Sequence, residues 1–161
     1  MNARYSSEIE RLYLQMYNLL FGYARSSLPN DALAEEAVQE TFRIACQKPE
    51  SICTSPRPEG WLVNTLKYVI SNMERSRLTA DRILKEYYAL QISRIKEADD
   101  TVGIELLYEN VAHMEEFRLL REMAVDGKSH LEMAQSRGIS VEACRKRVQR
   151  AKETLRNKIQ I

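Results

Sequence analysis

The sequence predicts an all-α protein built as two small helical domains joined by a linker. Three observations point there. Glycine and proline are scarce, 5 and 4 in 161 residues, while Leu, Ala, Glu and Arg, all good helix formers, are common. Apolar residues recur at every third or fourth position in several separate stretches, the spacing that puts them on one face of a helix. That periodicity fades between Leu78 and Gly103, which divides the chain into 1–77, a linker 78–103 and 104–161.

The first helix is predicted over Ser6–Ser26, with Ile9, Leu12, Met16, Leu19, Leu20 and Tyr23 as its core face. Pro29-Asn30-Asp31 breaks it and caps the next. The second helix spans Ala32–Gln47. Leu33, Ala37, Val38, Thr41, Phe42 and Ala45 face inward, and Glu35, Glu36, Gln39, Glu40 and Arg43 face out. By periodicity alone this acidic outer face is ordinary solvated surface. Lys48–Gly60, KPESICTSPRPEG, reads as a loop, since Pro49, Pro56 and Pro58 forbid a continuous helix, and its length is that of a functional loop. Trp61 then opens a helix, WLVNTLKYVISNMERSR. Trp61, Leu62, Thr65, Val69 and Met73 can pack inward, while Asn64, Lys67, Ser71, Arg75 and Arg77 stay outside. A large aromatic at a helix start reads first as a core anchor.

Beyond the linker, whose Ile83, Tyr87, Leu90 and Ile95 make only a weak stripe, Leu107, Val111, Met114, Phe117, Leu120 and Ala124 form the apolar face of a supporting helix. Ser129 and Glu132 then have the S-x-x-E spacing of a capping box. Leu131 and Ala134 give the helix they open a small inward face, and Gly138 stops it. Ile139 is an apolar plug. Ser140 caps a second helix with Glu142 in its first turn. There Cys144, Val148, Ala151 and Leu155 form one stripe. Arg145, Lys146, Gln149 and Arg150 fall opposite, with Arg147, Lys152 and Arg156 on the flanks. Charge alone would make this a solvated basic face. The short capped helix, the glycine turn and the apolar plug before it make it a helix-turn-helix, whose second helix can enter the DNA major groove.

Net charge is only +1 but unevenly spread. Gly127 to the end carries nine basic and three acidic residues, net +6, whereas 104–126 is net −4. That asymmetry suits a local phosphate-binding surface. No apolar run reaches the roughly 18 residues of a membrane span. The opening MNARYSSEIERLY lacks the apolar core of a secretory signal, so a cytoplasmic location is expected. Cys46, Cys53 and Cys144 form no C-x-x-C pair, and His113 and His130 have no ligand-like neighbours, so neither disulfide framework, metal site nor cofactor is expected. There is no nucleophile–base pair and no phosphate-binding glycine loop, which argues against an enzyme.

The stretches H-L-E-M-A, G-I-S and R-K-R-V-Q-R-A closely resemble the −35-reading domain of extracytoplasmic-function (ECF) sigma factors of bacterial RNA polymerase. Upstream, A-E-E-A-V-Q-E-T-F resembles the family's A-E-D-L-V-Q-E-T-F, and the helix from Trp61 resembles its −10-reading W-L-x-x-I-A-x-N segment. The resemblance implies an N-terminal promoter-melting domain that binds the clamp coiled coil of core polymerase through Glu36, Gln39 and Glu40. It implies a −10 surface from Trp61, Asn64, Lys67, Arg75, Arg77 and the preceding loop, which in the family captures a flipped base. The −35 element would be met by Ser140, Glu142, Arg145, Lys146, Arg147, Gln149 and Arg150. Of these, Arg145, Lys146 and Gln149 are placed for base edges, Arg147 and Arg150 for phosphates or flanking contacts. The expected partners are core polymerase, promoter DNA and an anti-sigma factor, with no membrane insertion. Two departures stand out: the Lys48–Gly60 loop lacks the family's aromatic-glycine-serine run, and the usual Leu-Pro before the supporting helix is missing. The rival readings are a stand-alone helix-turn-helix regulator, which would dimerise on a palindrome, and a sigma-like decoy that binds polymerase without opening DNA.

Overall fold

The computed structural model describes residues 2–97 and 114–160, and among these it contains seven helices. The chain divides into two compact units, Met1–Arg75 and Ser76–Ile161.

In the first unit, α1 (Ala3–Ser27) starts where the Asn2 side chain accepts from the Arg4 amide. It buries Ile9, Leu12, Met16, Leu20 and Ala24. Leu19 and Tyr23, expected inside, are exposed, Leu19 because it lies beyond the margin of this stripe, and Tyr23 offers its ring to the Lys67 ammonium at 5.9 Å. α2 (Asp31–Gln47) is capped by Asn30, whose side-chain Oδ1 accepts from the Leu33 amide at 2.9 Å. It buries Leu33, Ala34, Ala37, Val38, Thr41, Phe42 and Ala45. That contact face is wider than its apolar stripe, and it takes in Glu36 as well.

The stretch expected as one loop is mostly helix. α3 (Pro49–Cys53) has proline in its first turn and buries Ile52, and α4 (Pro58–Glu97) starts three residues ahead of Trp61. Proline breaks helix interiors, but at the first helical position its missing N–H was unpaired anyway and its fixed φ is already helical. Only Lys48 and residues 54–57 remain outside helix. Leu62, Leu66, Val69 and Ile70 from the early part of α4 complete the first core.

The stretch expected as a linker is also helical as far as Glu97. Ala80, Ile83, Leu84 and Tyr87 recur at helical spacing and are buried in the second core, so tertiary packing rather than a strong local pattern holds this part of α4. Residues 98–103, and Leu107 and Val111 of the supporting helix, lie outside the described residues. α5 (Glu115–Ala124) adds Phe117, Leu119, Leu120 and Met123 to that core. α6 (His130–Arg137) adds Met133 and Ala134, while Leu131, expected inside, is exposed. The Ser129 hydroxyl accepts from the Glu132 amide at 3.1 Å and caps α6. Gly138 closes it in the left-handed conformation at φ +64° while the Ile139 amide returns to the Ala134 carbonyl at 3.1 Å. α7 (Val141–Gln160) buries Cys144, Val148, Ala151 and Leu155.

One polar device ties α6 to α5. The Arg137 guanidinium, 11% exposed, donates to Glu115 at 2.7 Å through Nε and to Glu122 at 2.8 Å through Nη1. The hydrogen bond to Glu122 comes first among the causes that raise its pKa, burial opposes it, and Glu115 adds to it. Replacing Arg137 by alanine would leave Glu122, itself largely buried, without its strongest partner. Breaking such a pair costs about 3 kcal/mol. Arg137→Ala is therefore expected to lower the stability of the second unit by about that amount, measured by urea unfolding followed by circular dichroism, because Trp61, the single tryptophan, sits in the first unit.

Candidate nucleic-acid interface

Trp61 is the residue around which the first unit's surface is arranged. Its ring packs half-buried against the first core, and its Nε1–H donates to Ser51 Oγ on α3 at 3.2 Å. The Thr65 hydroxyl donates to the Trp61 carbonyl at 2.8 Å, one turn on. Around the exposed side of the indole lies an open hollow of about 460 Å³, lined by Ile44, Gln47, Lys48, Ser51, Trp61, Asn64, Thr65 and Tyr68. That volume is within the range of small-molecule pockets. Two aromatic side chains, Trp61 and Tyr68, and the donors and acceptors of Gln47, Lys48, Ser51 and Asn64 give it the chemistry to hold a flat heteroaromatic ring: stacking on one hand, edge hydrogen bonds on the other. Tyr68 is 63% exposed, so nothing in the first core requires it to be aromatic.

From the hollow, Asn64, Tyr68, Ser71 and Arg75 recur along the exposed side of α4 at spacings of three and four, with Lys67 beside them. Arg75 thus stands on the same line as the hollow, and Lys67 next to it. Arg77 does not. It falls off this stripe, is half-buried and belongs to the second unit. Of the five residues expected to form this surface, Trp61 and Asn64 share the hollow, Lys67 and Arg75 flank it, and Arg77 is elsewhere. The hollow also takes in Lys48 and Ser51, which belong to the stretch expected to join this surface as a whole, and Gln47 and Tyr68, which the sequence did not single out; Tyr68 could have been found one turn after Asn64.

The outer face of α2 also differs from expectation. Glu36 is only 8% exposed, because the helix is covered over more than half its circumference. The Glu40 carboxylate, largely covered itself, takes two hydrogen bonds from the Arg43 guanidinium, at 2.7 and 2.6 Å. Gln39 is exposed, on one line with Glu35, Arg43 and Cys46. Phe42 is core, edge-on to Tyr13 at 4.9 Å between ring centroids.

In the second unit, the Ser140 hydroxyl accepts from the Ala143 amide at 3.1 Å, which caps α7 and sets its entry angle after the glycine turn. Glu142, Lys146, Gln149 and Arg150 are exposed along one line, and Gln149 donates to Glu153 at 3.4 Å. Arg147 is exposed on one margin of that line, and Arg145 is half-buried on the other. Here a short helix, a left-handed glycine and a longer helix with an apolar back and a cationic front follow one another. Lys152, expected on a flank, is buried.

Among the described residues, no cluster of His, Cys, Asp and Glu side chains is placed to hold a metal ion, and no helix is long and apolar enough to cross a membrane.

The family described as Sigma-70 region 2 matches residues 12–78. This match covers α2, α3, most of α1 and the part of α4 that lines the hollow. Residues 12–78 are thus similar to sigma-70 region 2. Comparisons with curated proteins and with solved structures find no match to the chain.

The hollow separates two kinds of residue. Trp61 serves packing as well as surface, so Ser51→Ala should lower stability by about 1 kcal/mol through loss of the indole bond. Tyr68→Ala should change stability by about 0.5 kcal/mol or less. It should still weaken binding of single-stranded DNA by about 1–3 kcal/mol if a base stacks there, as read by titrating an oligonucleotide against Trp61 fluorescence.

Proposed function

We propose that the chain is an ECF-type sigma factor that binds core RNA polymerase in the cytoplasm and directs it to promoters by way of −10 and −35 elements. The observation that carries this reading is the coincidence of the region 2 match with the helices that build the hollow. On this reading residues 1–77 bind polymerase and open the −10 region, and residues 104–161, with the helix-turn-helix, take the −35 element.

The chemistry is that of binding rather than bond-making. Opening a duplex costs about 1.4 kcal/mol of stacking per base-pair step. An extruded base held against Trp61 and Tyr68, with its edge met by Asn64 or Gln47, would offset part of that cost. Lys67 and Arg75 would hold the backbone of the same strand, a contribution that weakens as salt rises. The polymerase contact centres on Gln39 and the Glu40–Arg43 pair. Glu36, buried in the free protein, supports that face of α2 from beneath. On α7, Lys146, Gln149 and Arg150 face the major groove, Ser140 and Glu142 lie at the leading end, and Arg145 and Arg147 reach from the margins. Glutamine pairs bidentately with adenine and arginine with guanine. An anti-sigma factor is a natural further partner.

Run-off transcription with purified core polymerase tests the proposal. A transcript starting at one site downstream of a matched −10/−35 pair is expected. Core binding without a transcript would make the chain a sigma-like decoy, and dimeric binding to a palindrome without core would make it a stand-alone regulator. At the level of single residues, selection from a randomised −35 library should show Gln149→Ala relaxing preference at one or two positions, by about 1–3 kcal/mol. Arg147→Ala should lower affinity for all sequences alike and flatten the salt dependence.

A further inference from the structure

Lys152 lies on α7 beside the stripe of Cys144, Val148, Ala151 and Leu155, and it is 7% exposed. Its ammonium donates to the Ser76 hydroxyl on α4 at 2.6 Å. Among the described residues no carboxylate stands within ion-pair distance of it. Burial pushes its pKa down, and Arg156, a like charge one turn on, pushes it further.

For stability this is a poor choice of residue. A cation taken out of water against one neutral acceptor is worse placed than an apolar chain of the same length, and the like charge at i+4 adds to the cost. Methionine would fill the same space with nothing to desolvate. What methionine lacks is direction. The rest of α7's buried face is small and smooth: one cysteine, one valine, one alanine and one leucine. Such a stripe resists separation of the helices but tolerates a roll of α7 about its own axis. A hydrogen bond does not, since it weakens steeply outside a narrow range of distance and angle. Side-chain tips lie about 5–6 Å from a helix axis, so a roll of roughly 20° displaces them by about 2 Å, enough to lose a base-edge contact.

We infer that Lys152 and Ser76 form a positioning pair that sets the rotation of α7, and so decides which of Lys146, Gln149 and Arg150 meet base edges. This rests on the reading of α7 as the −35 helix. It gives a role to a polar residue buried at the cost of stability, and to a serine in the middle of a long helix.

The test uses the full-length chain with Lys152→Met, Ser76→Ala and Ser76→Thr, the last keeping the hydroxyl. Three measurements are made: thermal melting, relaxation dispersion of the 145–150 amides without DNA, and selection from randomised −35 duplexes. Lys152→Met is expected to melt at or above the wild-type temperature. It should nevertheless show millisecond exchange along 145–150 where the wild type is flat, and lose about tenfold in preference for its best duplex over a scrambled one. Ser76→Ala should show the same exchange and the same loss while melting lower, because it strands the ammonium. Ser76→Thr should behave as wild type. A Lys152→Met protein that melts several degrees lower or fails to fold, that stays flat along 145–150, or that keeps full preference overturns the inference. A wild type with no sequence preference would refute DNA reading by α7 instead, and the dispersion measurement, made without DNA, still judges the pair.

Discussion

The contact on which the first unit's surface depends is the hydrogen bond from the Trp61 indole to Ser51. A tryptophan at a helix start can be a plain hydrophobic anchor. Here the ring packs on the core while its polar edge reaches a neighbouring helix, so one side chain fixes α3 against α4. Because α3 is short and carries Lys48 at its leading end, holding it in place also places one rim of the hollow. The other rim needs no such device, since Asn64 and Tyr68 stand one turn apart on the same helix.

On the proposed reading the second unit answers a different demand, that of aiming a helix. Its caps are local and strong: Ser129 and Ser140 each bind the amide three residues on, and Gly138 supplies the left-handed turn between them. Arg137 holds α6 to α5 with two charge-assisted bonds in a largely buried site. Lys152 is the counterpart of Arg137: more deeply buried, yet set against a neutral hydroxyl and a like charge. The first arrangement stabilises; the second is better understood as specifying.

Local signals were the ones legible in the sequence. The caps at Asn30, Ser129 and Ser140, the glycine exit at Gly138 and the apolar stripe of α7 follow from neighbouring residues and were readable. What depended on the width of a contact was not. Leu19 and Leu131 sit at stripe margins and are exposed, while Glu36 sits at a margin and is buried, because how far a helix is covered depends on how many neighbours it has. Prolines 49 and 58 were taken for breakers when they are helix starts, which hid α3 and left Lys48 and Ser51 expected only as part of a loop. The weak pattern of 78–97 showed Ile83 and Tyr87 but hid Ala80 and Leu84, and it did not reveal that all four join the second core, since their partners lie far along the chain. Trp61 and Asn64 were named in advance and do share the hollow. Nothing in the chemical character of Lys152 announces a buried position.

The central claim is that the hollow beside Trp61 receives one unstacked base of the −10 element. Its most direct test is a scan of the fluorescent base 2-aminopurine, one position at a time, along the non-template strand in complexes with the chain and core polymerase. The account predicts a strong emission change at a single position, altered by Tyr68→Ala and left in place by Leu78→Ala, a change at an exposed residue outside the hollow. Equal changes at every position, or a single-position signal indifferent to Tyr68, would contradict it.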